Sequence, residues 1–208
     1  MVYTWAADVL KLTEPEIYRR YYVSVPNFRK EKADRLHFPA DRAQSVGAWV
    51  LWQQMREFYG LREDAVFNLS HSGDYVLCSA SDRTGEKTGC DIEAVKEMRI
   101  KVAERFYCPW ETEYVKSAGG IREQTEAFYR IWVLKESFMK AVRRGMALDT
   151  RSFEIRFDEY DRPALVRQPK AYQETYYYKE FQPADHKVKI AVCSTDPQFA
   201  DLCLKKIE

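Results

Sequence analysis

Trp49-Val50-Leu51, set in a long amphipathic run, returns as Trp132-Val133-Leu134 in a second such run. Around the first triplet apolar side chains recur at Ala43, Val46, Val50, Leu51, Met55 and Phe58, one stripe of a helix from about Ala40 to Tyr59 that Gly60 ends. Around the second, the pattern predicts a helix from about Glu123 to Val142. A second echo follows the same order: Val76-Leu77-Cys78-Ser79 with Asp82 after it, and Ala191-Val192-Cys193-Ser194 with Asp196 after it. In each half the long helix precedes the strand. The expected fold is therefore α+β, two similar α/β subdomains related by pseudo-twofold symmetry, with the chemistry in the crevice between them. The subdomains are expected at residues 1–97 and 98–208.

The remaining pattern fills in this frame. Met1 to Ala6 alternates like a first strand, and Thr13-Glu14-Pro15-Glu16 reads as a capping box opening a short helix to about Tyr21. Strands are expected at 65–69, 74–80 and 87–93, and again near 152–157, 163–167, 174–181 and 187–194. Short helices are expected at 99–106 and from Pro109 onward, with a loop at Ser117-Ala118-Gly119-Gly120.

Composition narrows the function classes. The chain has 208 residues, 46% hydrophobic and 31% charged, as a globular protein requires, and its net charge of +1 supplies no field for wholesale nucleic-acid binding. Five cysteines without C-x-x-C spacing argue against a disulfide framework or structural zinc and for reduced thiols in a cytoplasm. No run approaches the roughly twenty apolar residues of a membrane span.

The two copies differ where chemistry could sit. The second helix carries Lys135 and Glu136 where the first has Trp52 and Gln53. Gly89-Cys90-Asp91-Ile92-Glu93 reads as a strand that projects Asp91 and Glu93 from one face, while Glu136 and Lys140 share a helix face one turn apart. Singly, each pair has a plain explanation: the polar face of an edge strand, and a surface ion pair worth about 0.3–0.5 kcal/mol. The helix, however, is apolar at Phe128, Ile131, Trp132, Leu134 and Phe138, so its charges read as the wall of a cleft. If the two faces meet, they form an all-oxygen site suited to Mg²⁺ and phosphate oxygens, with Lys135 and Lys140 to neutralise developing charge. Phe67-Asn68-Leu69-Ser70-His71-Ser72-Gly73 is either a strand ending in a polar turn or a source of phosphate donors at Ser70 and His71. Arg29, Lys30, Lys32 and Arg35 form a solvated helix face or, with Arg42, a second phosphate site.

On three ordered segments, Phe67 to Gly73, Gly89 to Glu93 and Trp132 to Lys140, the chain resembles the larger, surfactin-synthetase-activating type of 4′-phosphopantetheinyl transferase. The likeness spans most of residues 28–195. It implies transfer of the phosphopantetheine arm from coenzyme A to a serine of an apo acyl or peptidyl carrier protein, with release of adenosine 3′,5′-bisphosphate. By the same resemblance Asp91, Glu93 and Glu136 would hold Mg²⁺, and Glu136 would take the serine proton directly or through a water. Lys140 and Lys135 would contact the diphosphate, Ser70 and His71 the coenzyme A phosphates, and Arg29, Lys32 and Arg42 the nucleotide end. Members commonly carry a Gly-Lys-Pro segment before the first motif; here only Leu61 to Val66 separate Gly60 from Phe67. Two other readings share these residues: a Mg²⁺-dependent nucleotide diphosphate hydrolase, and a non-catalytic module binding coenzyme A or a carrier. Carrier docking is expected on 107–125, through Tyr107, Trp110, Tyr114 and Ile121, and a monomer is expected because duplication can replace a symmetric dimer.

Overall fold

The long helix around Trp49 forms as its pattern requires. It runs Pro39–Tyr59, with proline in its first turn and Gly60 at φ 60°, the left-handed stop a glycine tolerates. This is α3, preceded by strand β1 (Val2–Asp8) and helices α1 (Pro15–Tyr22) and α2 (Asn27–Asp34), and followed by strands β2 (Phe67–Ser72), β3 (Tyr75–Ser81) and β4 (Thr88–Ala94). Helices α4 (Ile100–Phe106), α5 (Pro109–Ser117) and α6 (Ile121–Ala141) come next, then β5 (Glu154–Phe157), β6 (Pro163–Arg167), β7 (Tyr177–Phe181), β8 (Val188–Ser194) and β9 (Phe199–Lys206). The structure is a computed structural model and describes residues 1–183 and 187–207.

The α+β fold expected from the sequence is present, and its strands repeat one arrangement. One sheet has the order β2-β3-β1-β9 and the other β4-β8-β7, with β5 and β6 as a separate hairpin. In each unit the first strand (β1 or β4) pairs antiparallel with the last (β3 or β8), and that last strand pairs antiparallel with its predecessor. Strand–long helix–two strands is thus the repeating unit. The boundary expected after residue 97 cuts across the pairing: β4 lies before it yet pairs with β8, while β9 lies after it and pairs in parallel with β1.

The described core has four zones, one of them formed by Ala103, Tyr107, Val115, Phe128 and Ile131 where α4, α5 and α6 meet. Trp5, Val46, Leu51, Met55, Val76 and Cys78 pack α3 onto the first sheet, and Leu134, Phe138, Met139, Ala191 and Cys193 pack α6 onto the second. Between the sheets lie Val2, Ala6, Leu77, Cys90, Ile92, Ile190 and Val192. On β4, therefore, Cys90 and Ile92 face the other sheet while Gly89, Asp91 and Glu93 face the opposite way.

Two local expectations changed. Thr13 does not cap α1; its hydroxyl donates to the Leu10 carbonyl and closes a short 3₁₀ turn over Leu10–Thr13 instead. Tyr107, expected at a docking surface, is buried, with its hydroxyl donating to the Phe128 carbonyl at 2.8 Å. Trp110 and Tyr114 stack at 5.5 Å beside Phe157, leaving Ile121, 82% exposed, as the outward residue of that group.

Gly89 fixes how closely β4 meets α6. A Cβ there would lie 2.2 Å from both the Ser137 carbonyl oxygen and the Ala141 nitrogen. These are backbone atoms of α6, which cannot rotate away. Gly89→Ala is expected to lower stability by about 1–3 kcal/mol, towards the upper end, measured by urea unfolding. An unchanged midpoint would mean that the strand and helix separate freely.

Candidate functional site

The close approach at Gly89 brings the face of β4 carrying Asp91 and Glu93 against the face of α6 carrying Glu136 and Lys140, as their periodicities require. Lys140 Nζ lies 2.6 Å from Asp91 Oδ1 and 2.9 Å from Ser70 Oγ, and Ser70 Oγ donates to the same Asp91 oxygen at 2.8 Å. Asp91 and Ser70 are buried and Lys140 is partly so. Ser72 Oγ donates to Glu93 Oε2 at 2.7 Å.

Burial is the first influence on each of these groups. It raises the pKa of Asp91 against the opposing pull of Lys140 and Ser70. Burial also raises Glu93, with Ser72 opposing and the Asp91 charge adding to the rise. For Glu136 burial comes first again, followed by repulsion from Asp91; Lys140 opposes and Glu93 adds a smaller push. Lys140 goes the other way. Burial would lower it, but the charge of Asp91 and its hydrogen bond prevail, so its ammonium is favoured. Asp91 thus pushes on both Glu93 and Glu136, and the Lys140 ammonium opposes that push at each.

Among the described residues, no three His, Cys, Asp or Glu side chains stand converged as a ready metal cage. Asp91 Oδ1 is taken by Lys140 and Ser70, and one oxygen of Glu93 by Ser72. The expected set Asp91, Glu93 and Glu136 still fits a hard divalent cation in its chemistry. All donors are carboxylate oxygens, and Asp91 Oδ2 is buried with no hydrogen-bond partner, a charge position that demands a cation. Mg²⁺ needs only one or two carboxylates when phosphate oxygens and waters complete its shell.

Lys135 is not part of this group. One residue along a helix turns about 100°, and its side chain enters the core on another flank of α6. There it donates to both carboxylate oxygens of Glu111 at 2.8 Å and to the Phe153 carbonyl at 3.1 Å. Glu111 also accepts from the backbone of Cys108 and Ile155. Burial lowers the Lys135 pKa against the raising effect of Glu111. The expected diphosphate contact is thus a buried tie between α6, α5 and β5.

The basic residues expected at a nucleotide end divide similarly. His71 projects outward from β2; its pKa is lowered by the protein packed about it, then by the charges of Lys140 and Lys32. Lys32 is lowered by burial and then by the charge of Arg29, and at His71 the charge of Asp41 opposes those of Lys140 and Lys32. The Arg29 guanidinium lies 4.6 Å from the centre of the Trp49 ring, and its Nε is buried without a partner. Arg42 instead donates to the Leu36 carbonyl at 2.8 Å, tying the α2–α3 turn.

An open cavity of about 450 Å³ begins at Glu93 and runs past Trp132, Phe128 and Tyr129 to Lys96 and Arg99. Sequence reading missed it, although Trp132 lies one turn before Glu136 on the same face. A larger cavity, about 680 Å³, surrounds Arg130. That guanidinium is already engaged by Asp161 and Glu180, and the cavity includes none of the carboxylates that meet Lys140. The smaller cavity shares Glu93 with the β4–α6 cluster, and the larger shares none of its residues.

The model of the 4′-phosphopantetheinyl transferase superfamily matches residues 87–193, just over half of the chain and including Asp91, Glu93, Glu136 and Lys140. The 4′-phosphopantetheinyl transferase Sfp of Bacillus subtilis (strain 168) is 34% identical over 139 residues, covering 66% of this chain and 58% of that protein. The 4′-phosphopantetheinyl transferase gsp of Aneurinibacillus migulanus is 31% identical over 146 residues, covering 70% and 58%. The chain thus spans under two thirds of the length of these curated relatives. Among solved structures, a holo-(acyl-carrier-protein) synthase from Bacillus anthracis in complex with CoA (3′,5′-ADP) is 22% identical with a TM-score of 0.45, covering 52% of this chain and 93% of that one.

Proposed function

Since the chain belongs to the 4′-phosphopantetheinyl transferase superfamily, we propose that it moves the phosphopantetheine arm of coenzyme A onto a serine of an apo carrier protein, acyl or peptidyl, and releases adenosine 3′,5′-bisphosphate. The observation that carries this reading is the junction of β4 and α6, where Lys140 bonds to Asp91 beside Glu93 and Glu136. The carboxylates outnumber the ammonium at this junction, an excess of negative charge that a divalent cation would balance, and that cation would bring a diphosphate with it.

In this reading the carrier serine Oγ bonds to the β-phosphorus of coenzyme A as the bond from that phosphorus to the bridging oxygen breaks. The electron pair leaves with adenosine 3′,5′-bisphosphate. The serine proton passes to Glu136, whose pKa is raised by burial and by Asp91, which makes it a stronger base than an ordinary carboxylate. Lys140, fixed as an ammonium, faces the departing charge. Asp91, Glu93 and Glu136 would hold Mg²⁺, which supplies charge stabilisation at the diphosphate. His71, Lys32 and Arg29 would take the phosphate at the nucleotide end. Five free cysteines, four of them buried, accord with a cytoplasmic setting, and the internally repeated unit with a monomer.

The test is mass spectrometry of apo carrier proteins after incubation with coenzyme A and Mg²⁺. The expected result is addition of one phosphopantetheine, lost with EDTA and regained with excess Mg²⁺. Cleavage of coenzyme A without any modified carrier would replace transfer with hydrolysis. Undiminished transfer in EDTA would remove the cation from the reading.

A further inference from the structure

β2 and β4 belong to different sheets, each at an edge, and side chains join them. Asn68, Ser70 and Ser72 alternate along β2 and accept hydrogen bonds from the backbone nitrogens of Cys90, Ile92 and Ala94, at 3.0, 3.5 and 3.1 Å. The spacing is constant, two residues on one strand for two on the other. At both serines the same unit appears. The hydroxyl accepts from one residue of β4 and donates to the carboxylate of the residue before it: Ser70 to Asp91 and Ser72 to Glu93. Gly89 occupies the corresponding position opposite Asn68, where the backbone of α6 leaves no room for a side chain.

We propose that Ser70 and Ser72 are positioning residues, which register β4 against β2 and orient Asp91 and Glu93 as cation ligands, rather than ligands of the coenzyme A phosphates. A serine hydroxyl has one proton to give. At Ser70 it goes to Asp91 while a lone pair takes Lys140, so the ammonium, not the hydroxyl, has hydrogens to offer a phosphate. The purpose of the site rests on the transfer reading; the hydroxyl–carboxylate pairing does not.

The experiment measures Mn²⁺ affinity by electron paramagnetic resonance, and coenzyme A affinity by calorimetry in EDTA, for the wild type, Ser72→Ala, Ser72→Thr and Ser70→Ala. Loss of an outer hydrogen bond to a metal ligand typically weakens metal binding by about tenfold or more. Ser72→Ala and Ser70→Ala are expected to show that loss with metal-free coenzyme A affinity unchanged, and Ser72→Thr to restore Mn²⁺ binding. Unchanged Mn²⁺ affinity in both alanine variants, or a wild type that binds no Mn²⁺, overturns the proposal. So does a fall in metal-free coenzyme A affinity in Ser70→Ala, which would make the hydroxyl a phosphate ligand. Thermal melting accompanies each variant; collapse of both alanine variants would reduce the serines to structural pins and overturn it as well. Failure of the wild type to modify any carrier would sink the transfer reading alone, since the Mn²⁺ comparison remains readable.

Discussion

Glu136→Gln is expected to lower carrier modification by about 10²–10⁴-fold, the range of a lost proton acceptor, with the fold retained. The amide keeps the size of the side chain but has neither the basicity nor the charge. Glu136 is half-buried, and burial together with Asp91 raises its pKa; Lys140 opposes that rise. The substitution also relieves repulsion among the carboxylates, so thermal stability should hold or rise. Initial rates at saturating coenzyme A and carrier, with melting curves alongside, separate the two effects. A rate within threefold of the wild type would remove Glu136 from the proton transfer.

Lys135→Met should act on the fold instead. It leaves Glu111, fully buried, with its ammonium partner gone and only backbone donors facing it. Breaking a buried pair by removing one member costs about 3–5 kcal/mol, because the remaining charge is uncompensated. Replacing both, as Lys135→Met with Glu111→Leu, should recover most of that loss, since a well-packed apolar pair is often as stable. Urea unfolding of the single and double variants decides it. Additive losses would deny the pairing. A selective rise in the KM for coenzyme A, with stability intact, would return Lys135 to the diphosphate.

Asp91, Glu93, Glu136 and Lys140 were legible in the sequence because their alignment follows from the periods of strand and helix alone. Lys135 misled for the same reason. Adjacent in sequence to Glu136, it is rotated onto another face, and its partner Glu111 stands on a separate helix that no local pattern connects to it. Ser70 and Ser72 showed strand alternation, but their dependence on β4 is tertiary. The pairing of two sheet edges cannot be read from either strand. Strand β9 escaped notice because Asp201, Lys205 and Lys206 interrupt its apolar residues on both faces, and its partner β1 is far from it in sequence. The expected division after residue 97 separates β4 from its partner β8 and β9 from its partner β1, bonds that residue order alone does not reveal.

The parallel pairing of β9 with β1 also bears on how the protein comes to exist. During synthesis β1 must wait for β9, which follows every other described strand, before the two can pair. Until then its hydrogen-bonding edge is open along Val2 to Asp8, a template for pairing with the wrong neighbour. The repeat suggests two halves that could mature one after the other. The pairing of β9 with β1 instead couples them through one slow, long-range closure, with the β1 edge open to aggregation until β9 is made.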